Sequence, residues 1–243
     1  MCVHSGVESR SEFRKTQAFF IFLLAIIWYT FVMIITYHGK QFWKIQQGDL
    51  VLAFNPISRD SKFTGKIARF GSNVALTTIN HPDYNGVETV TYGETAPFVV
   101  SGPGDYEIGG IFIKGIASEA IIGKKRFINT IYTMTVDDIA ICFLGALTNP
   151  TLSSQAVEAI DSADLLFVPV GDGIDSLAPK DAYKLAVGLE PKLIIPMDYA
   201  EEDLAIFLKE AGAEKTEPIE KLTLKKKDLD GKEGEVVVFA SKD

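Results

Sequence analysis

The sequence predicts an α/β or α+β globular domain behind one apolar segment, on three observations. The chain has 243 residues, 47% hydrophobic and 23% charged. That is too apolar for a disordered chain, and 20 Gly, 10 Pro and 2 Cys are too few for a collagen-like or disulfide-stapled one. Short β-branched or aromatic runs fill the first half, whereas apolar strands alternate with helical periodicity in the second. Finally, the mean hydropathy of +0.15 is high for this charge content. The excess has one source, the uncharged run AFFIFLLAIIWYTFVMII from Ala18 to Ile35.

That run sits at the threshold of a membrane span, which needs roughly 20 apolar residues. Arg10, Arg14 and Lys15 precede it, and Trp28, Tyr29 and Tyr37 lie in or just past its far half. It reads as an N-terminal membrane anchor, because no small-x-small cleavage pattern follows. Ile34–Tyr37 are β-branched or aromatic, however, and Gly39 follows, so they read as the first strand of the next domain. The division is therefore 1–17 polar tail, 18–33 anchor helix and 34–243 globular domain. A helix over 18–33 spans about 24 Å at 1.5 Å per residue, short of a ~30 Å hydrocarbon core. Met33 is an alternative translation start, which would leave the domain cytoplasmic instead of anchored by a single pass.

Strands are predicted at Phe42–Gln46, Leu50–Phe54, Val74–Thr78, Phe98–Val100, Ile111–Lys114, Thr130–Val136 and Ile139–Leu144, separated by Gly, Pro, Asn and Asp clusters. Helices follow at Ser153–Ile160, Pro179–Leu189 and Glu201–Ala211. The second of these carries Ala182, Leu185, Ala186 and Leu189 on one face, with Pro179 in the first turn. Leu165–Val168 and Leu193–Ile195 are wholly apolar, as strands covered on both faces are. Leu222–Leu224 and Val236–Phe239 close the chain, with Asp230-Gly231 as a turn signal between them.

Residues 1–33 hold three basic and two acidic side chains, so residues 34–243 keep 21 Lys/Arg against 30 Asp/Glu, a net of −9. No basic stripe appears, which argues against a nucleic-acid surface. Lys225-Lys226-Lys227 is followed at once by acids and reads as a solvated turn. Asp137-Asp138 reads as a turn, and Glu201-Glu202 as a dipole complement at a helix start. Cys142, inside an apolar strand, reads as a small buried hydrophobe.

Four segments carry a resemblance. They are Thr77-Thr78-Ile79-Asn80-His81-Pro82-Asp83-Tyr84-Asn85-Gly86, Ser101-Gly102-Pro103-Gly104-Asp105-Tyr106-Glu107-Ile108-Gly109-Gly110, Phe143-Leu144-Gly145-Ala146, and Ile194-Ile195-Pro196-Met197-Asp198-Tyr199. In this order and spacing the chain resembles the metallo-β-lactamase-fold hydrolases, nearest to the branch of ascorbate-phosphate lactonases and related Zn-dependent hydrolases. The resemblance covers nearly all of residues 34–243. It implies an αββα four-layer sandwich of the α+β class. It also implies a cleft in which a His-x-His-x-Asp-His loop, a later His, a Gly-Asp pair and a final His hold one or two Zn²⁺ or Mn²⁺ ions. Those ions would activate a bound water.

This sequence departs from that pattern at most positions. The first His of the loop falls on Ile79 and the last on Tyr84, so only His81 and Asp83 remain. The middle His falls near Ala117-Ser118-Glu119, the bridging Asp on Ala146 and the final His on Asp198. The chain has three His, and His4 and His38 lie outside the motifs. The candidate remnant site is thus His81, Asp83, Tyr84 and Asp198. One alternative is a reduced metal site, in which His81, Asp83 and Asp198 hold one Zn or Mn ion weakly. The other is a structured loop, in which Asp83 accepts backbone N–H bonds and Tyr84 fills the space of a lost ligand. The second is expected, because losing most ligands removes the closed geometry that metal affinity needs.

A two-His-one-carboxylate site is not available. Gly102-Pro103-Gly104 is not a phosphate loop, since Pro103 lacks an N–H and no GK[ST] follows. Gly171-Asp172-Gly173 follows a strand where open-sheet clefts form, but a plain turn is the simpler reading. Ser101, Ser118 and Ser153 have no motif-placed His base. The expectation is a degenerate, non-catalytic binding or scaffolding protein at a membrane, without a metal cofactor and with a second copy of itself (a homo-oligomer) as a candidate partner. The competing expectation is a single-metal hydrolase of a phosphoester or lactone.

Overall fold

A computed structural model of the chain describes residues 32–160 and 163–240. Of the expected anchor over residues 18–33, residues 18–31 lie outside them. Among the described residues no helix is long and apolar enough to cross a membrane. Met33 is not a helix end. It is the first residue of strand β1 (Met33–Tyr37), fully buried and paired with Leu224 on one side and Gln47 on the other. Alternation explains why, since Met33, Ile35 and Tyr37 face the core while Ile34 and Thr36 face away.

Thirteen strands among the described residues form two sheets. The first contains β1, β2 (Trp43–Gln47), β3 (Leu50–Phe54), β4 (Val74–Thr77), β5 (Phe98–Ser101) and β12 (Lys221–Leu224), in the order β12-β1-β2-β3-β4-β5. β12 through β3 pair antiparallel, and β3, β4 and β5 pair parallel. The second contains β6 (Gly104–Ile108), β7 (Ile111–Ile122), β8 (Lys125–Val136), β9 (Ile139–Phe143), β10 (Leu165–Pro169), β11 (Leu193–Met197) and β13 (Glu235–Val236), in the order β13-β11-β10-β9-β8-β7-β6. Its β6-to-β9 half is antiparallel and its β9-to-β13 half parallel.

The sheets face each other across one apolar core. Ile35, Ile45, Leu52, Phe54 and Leu76 of the first pack with Tyr132, Ile141, Phe143, Phe167 and Ile195 of the second. Trp43 lies edge-on to Phe167 and Phe239, with ring centroids at 5.0 and 4.8 Å, a geometry that aromatic pairs favour. The opposite face of the second sheet, with Cys142, Leu144, Leu166, Val168 and Ile194, is covered by α1 (Ser154–Ile160), α2 (Pro179–Gly188) and α3 (Glu201–Glu210). Strands covered on both faces read as unbroken apolar runs. Cys142 is the expected buried hydrophobe, and burial pushes its thiol pKa up. The outer face of the first sheet is covered by the segment between β3 and β4, which brings Phe63, Ile67 and Phe70 onto Phe42, Ala53 and Ala75.

The mixed-sheet sandwich is the one expected, and several details differ from the sequence expectation. The tract Gly104–Ile108, read as part of a turn-rich motif, becomes edge strand β6. Strands β7 and β8 are twelve residues each and run on as a ribbon around the Gly123-Lys124 turn, where short strands were expected. β12 and β13 do not pair across Asp230-Gly231, but lie in different sheets. Asp137-Asp138 is the expected tight turn joining β8 to β9. Its residues have φ of 50° and 61°, and positive φ at both central positions is what the favoured two-residue hairpin requires. The Gly102 segment is a sheet-to-sheet crossing held by phenols. Tyr132 Oη donates to the Thr77 carbonyl at 2.9 Å and accepts the Gly102 N–H at 3.1 Å, and Tyr106 Oη donates to the Gly102 carbonyl at 3.0 Å.

Lys225–Lys227 is more than a solvated turn. Lys226 Nζ reaches 2.6 Å from the buried Asp164 carboxylate, which also pairs with Lys192 at 2.8 Å.

Candidate functional site

The segments expected to carry chemistry follow the carboxyl ends of strands. Thr78–Gly86 follows β4, Gly145-Ala146 lies just beyond β9, and Asp198 follows β11, and Asn55, not among the expected residues, follows β3 in the same way. Carboxyl ends of parallel strands are where clefts open in such sheets. The turn between β1 and β2 joins them, because Gln41 Nε2 donates to Asp198 Oδ2 at 3.2 Å.

The structure brings together positions far apart in sequence. Ile79, Tyr84 and Ala146, which occupy three expected ligand positions, pack into one small apolar cluster with Ala120. They are 3%, 5% and 2% exposed. Phe127 and Ile122 close the same cluster. Ser118, near the expected middle ligand, meets Asn129 instead, whose Nδ2 donates to Ser118 Oγ at 2.8 Å and to the Leu144 carbonyl at 2.9 Å. Asn129 Oδ1 accepts the Ala146 N–H at 2.9 Å, so one buried amide fixes the segment in which an acid was expected. Gly145 there has φ +66°, and a Cβ on it would lie 2.5 Å from Asn129 Oδ1 and 2.7 Å from Thr78 Cβ. Gly145→Ala is expected to lower unfolding free energy by about 2–4 kcal/mol, combining overpacking with left-handed backbone strain. Denaturant unfolding with an unchanged m-value checks this.

Each retained polar candidate has a partner. His81 Nδ1 accepts the Asp83 N–H at 3.2 Å, and its ring lies beside Tyr84 and edge-on to Phe127. Asp83 accepts Ser61 Oγ at 2.5 Å and pairs with Lys40 Nζ at 2.9 Å. Burial pushes the Asp83 pKa up, but the Ser61 hydroxyl and Lys40 outweigh it, and the net shift is downward. Asp83 thus accepts side-chain donors, where backbone N–H bonds were expected. Tyr84 Oη donates to Asp198 Oδ2 at 2.9 Å. Burial, then the Asp198 charge, raises the Tyr84 phenol well above its usual range, so it remains a donor. Burial also raises Asp198, against the opposing pull of Lys40, Tyr84 and Gln41.

The network continues inward. Asn55 Nδ2 donates to Gln41 Oε1 at 3.1 Å and Thr78 Oγ1 at 2.9 Å, and Asn55 Oδ1 accepts the Thr78 N–H at 2.8 Å. Lys40, Asn55 and Asp198 all have left-handed backbones, with φ of 50°, 43° and 57°. Such residues persist where their surroundings over-determine them, and they cluster at functional sites. Sequence reasoning missed Lys40, Gln41, Ser61, Asn55 and Asn129. Their residue types are common in loops, and no spacing marks them.

A cavity of about 400 Å³ opens beside this network, lined by Tyr37, Lys40, Lys62, Phe63, Asp198 and Tyr199 among others. The Gly171-Asp172-Gly173 segment is the plain turn expected, with Asp172 Oδ1 accepting the N–H groups of Ile174 and Asp175, as aspartate side chains in turns do.

A two-sheet sandwich with helices on the second sheet, and loops converging at the strand ends, defines the metallo-β-lactamase class of fold. Residues 34–198 match the family profile described as the β-lactamase superfamily domain, and the chain belongs to that family. Its relatives include a metal-dependent hydrolase of Lysinibacillus sphaericus (strain C3-41), 25% identical over 72% of this chain and 91% of that protein. Among solved structures, a Thermotoga maritima protein described as a Zn-dependent hydrolase of the metallo-β-lactamase superfamily is 26% identical. It covers 85% of this chain and 98% of its own, with a TM-score of 0.66. The metallo-β-lactamase fold protein YhfI of Bacillus subtilis shares the fold at 11% identity, over 88% and 98% of the two chains, with a TM-score of 0.56.

Proposed function

We propose that this chain is a non-hydrolytic member of its metal-dependent hydrolase family, working as a binding or scaffolding module held at a membrane by residues 18–32. One observation carries the reading. Ile79, Tyr84 and Ala146 bury apolar or phenolic surface against one another where ligands would converge. Zinc is held by imidazole nitrogen, thiolate and carboxylate, and an apolar cluster supplies none of these. The remaining donors do not fit an ion either. Asp83 is engaged by Ser61 and Lys40, whereas Asp198 is engaged by Tyr84 and Gln41. The two carboxylates are thereby bound to different partners, and no metal-dependent step is assigned to this chain.

The membrane part rests on the apolar run beginning at Ala18 and the three basic residues before it, which together have the length and flanks of a marginal span. The net charge of the domain speaks against a nucleic-acid partner. A second reading, a hydrolase with a single ion on His81, Asp83 and Asp198, draws its support from the names of the relatives alone.

Elemental analysis of the purified full-length chain separates the two. Substoichiometric Zn and Mn are expected after incubation with either ion. One ion per chain that disappears in His81→Ala would establish the hydrolase reading instead. Carbonate extraction of cells tests the anchor, with the chain expected in the resistant membrane fraction. Recovery in the soluble fraction overturns that part.

A further inference from the structure

The β1–β2 turn makes contacts that the non-hydrolytic reading does not require. Its adjacent residues Lys40 and Gln41 reach two carboxylates on loops far apart in sequence, Lys40 to Asp83 and Gln41 to Asp198. The turn is built to aim them. Phe42 N–H donates to the Gly39 carbonyl at 2.9 Å, and Tyr37 Oη donates to the Lys40 carbonyl at 3.0 Å. Lys40 itself is held at a left-handed φ of 50°. An L-residue adopts that region only against a steric penalty between Cβ and the following carbonyl oxygen. The pair is partly screened from solvent, with the side chains of Lys40 and Asp83 30% and 17% exposed. Lys40 and Asp198 also line the same cavity.

We propose that the Lys40 ammonium is a built-in cation that neutralises the Asp83 and Asp198 loops and thereby does for this chain what a bound metal does electrostatically in its relatives. This rests on the non-hydrolytic reading and adds to it the residue responsible. A fixed monovalent cation on the β1–β2 turn needs no ion from solution, and it excludes a divalent one by repulsion and by occupying Asp83. Asp198 lines the same cavity as Lys40 and is bonded by the adjacent Gln41, and the Lys40 charge opposes the larger upward effect of burial on its carboxyl. Removing the charge strips Asp83 of its ion-pair partner and leaves Lys62 as the lysine in the cavity that Asp198 lines, and a carboxylate that has lost its counter-charge is one that a divalent cation can neutralise.

The test compares wild type, Lys40→Met, Lys40→Arg and the double variant Lys40→Met/Asp83→Asn, using Mn²⁺ binding followed by electron paramagnetic resonance and thermal unfolding with and without Mn²⁺. The expected result is Mn²⁺ uptake by Lys40→Met at least tenfold tighter than by wild type, a gap of about 1.4 kcal/mol. Saturating Mn²⁺ then raises the Tm of that variant alone. Lys40→Arg behaves as wild type, and the double variant loses the uptake. If Lys40→Met does not fold, Lys40→Gln is carried through the same assay. Equal Mn²⁺ affinity in wild type and the neutral variants, including no affinity in either, overturns the proposal and leaves the non-hydrolytic reading standing. A loss of stability without gain of Mn²⁺ also overturns it, since Lys40 is then an ordinary ion-pair partner. Stoichiometric Mn²⁺ on the wild type overturns both.

Discussion

Asp164→Ala is expected to lower the unfolding free energy by about 3 kcal/mol, toward the lower end of what breaking a buried ion pair removes. The Asp164 side chain is 3% exposed and sits immediately before β10. Its carboxylate receives Lys192 at 2.8 Å, Lys226 at 2.6 Å and the Ala140 N–H at 2.8 Å. It therefore joins the entries of β9, β10 and β11 to the short turn Lys226–Leu229. Both lysines are partly exposed, at 34% and 44%. They regain water when the acid is removed, which tempers the loss. The same group sets an acid limit. Burial pushes the Asp164 pKa up, but the two lysines and the Ala140 N–H outweigh it, so its folded pKa lies below the ordinary aspartate value. The unfolded chain titrates at about 3.9. A carboxyl of that kind contributes stability above the unfolded pKa and loses it as pH falls through the folded one. Urea midpoints measured below about pH 4 should therefore fall more steeply for wild type than for Asp164→Asn. Parallel curves would remove Asp164 from the acid response.

Asn55→Ala is expected to cost more, about 3–5 kcal/mol, because it strands several buried groups at once. The variant leaves the Thr78 N–H, Thr78 Oγ1 and Gln41 Oε1 without the partner each now has. Asn55 is fully buried, so water does not readily replace the amide. It also has φ of 43°, which asparagine tolerates better than alanine. Asn55→Gly separates the two contributions, since glycine relieves the backbone but not the hydrogen bonds. The glycine variant is expected to recover about 1 kcal/mol relative to alanine. Full recovery would assign the effect to the backbone and deny the network its structural weight.

How far the sequence could be read depended on the signal each residue carries. Apolar tracts announced themselves, so Leu50–Phe54, Val74–Thr77 and Leu165–Pro169 fall where the pattern put them. The distal parts of β7 and β8 did not, because Glu119, Lys125 and Arg126 punctuate a ribbon that has one exposed face and so reads as loop. Strand β6 was hidden for the same reason, with Asp105 and Glu107 pointing outward from a sheet edge, where charge protects against wrong pairing. The assignment of β12 and β13 to different sheets was invisible, since a turn signal says nothing about which strand a strand joins. At the site, the loss of imidazoles was plain from three His in 243 residues. What replaced them was not, because glutamine, asparagine and lysine occur in every loop and only the folded chain shows which of them meet.

The position of β1 has a consequence for how the protein comes into being. β1 lies between β2 and β12, and its outer edge is matched residue for residue, Met33 to Leu224 and Thr36 to Lys221. The first sheet thus begins with one of the earliest strands and is completed by one of the last. The Gln41–Asp198 bond spans 157 positions in the same way. While the chain is being made at about 5–20 residues per second, that edge stays unpaired for on the order of 10–40 s. An open strand edge carrying Met, Ile, Ile and Tyr is a surface on which chains pair wrongly. A nascent chain of this protein therefore presents a pairing edge at β1 that chaperones would have to cover until β12 is made, although the finished molecule pairs that strand along both flanks.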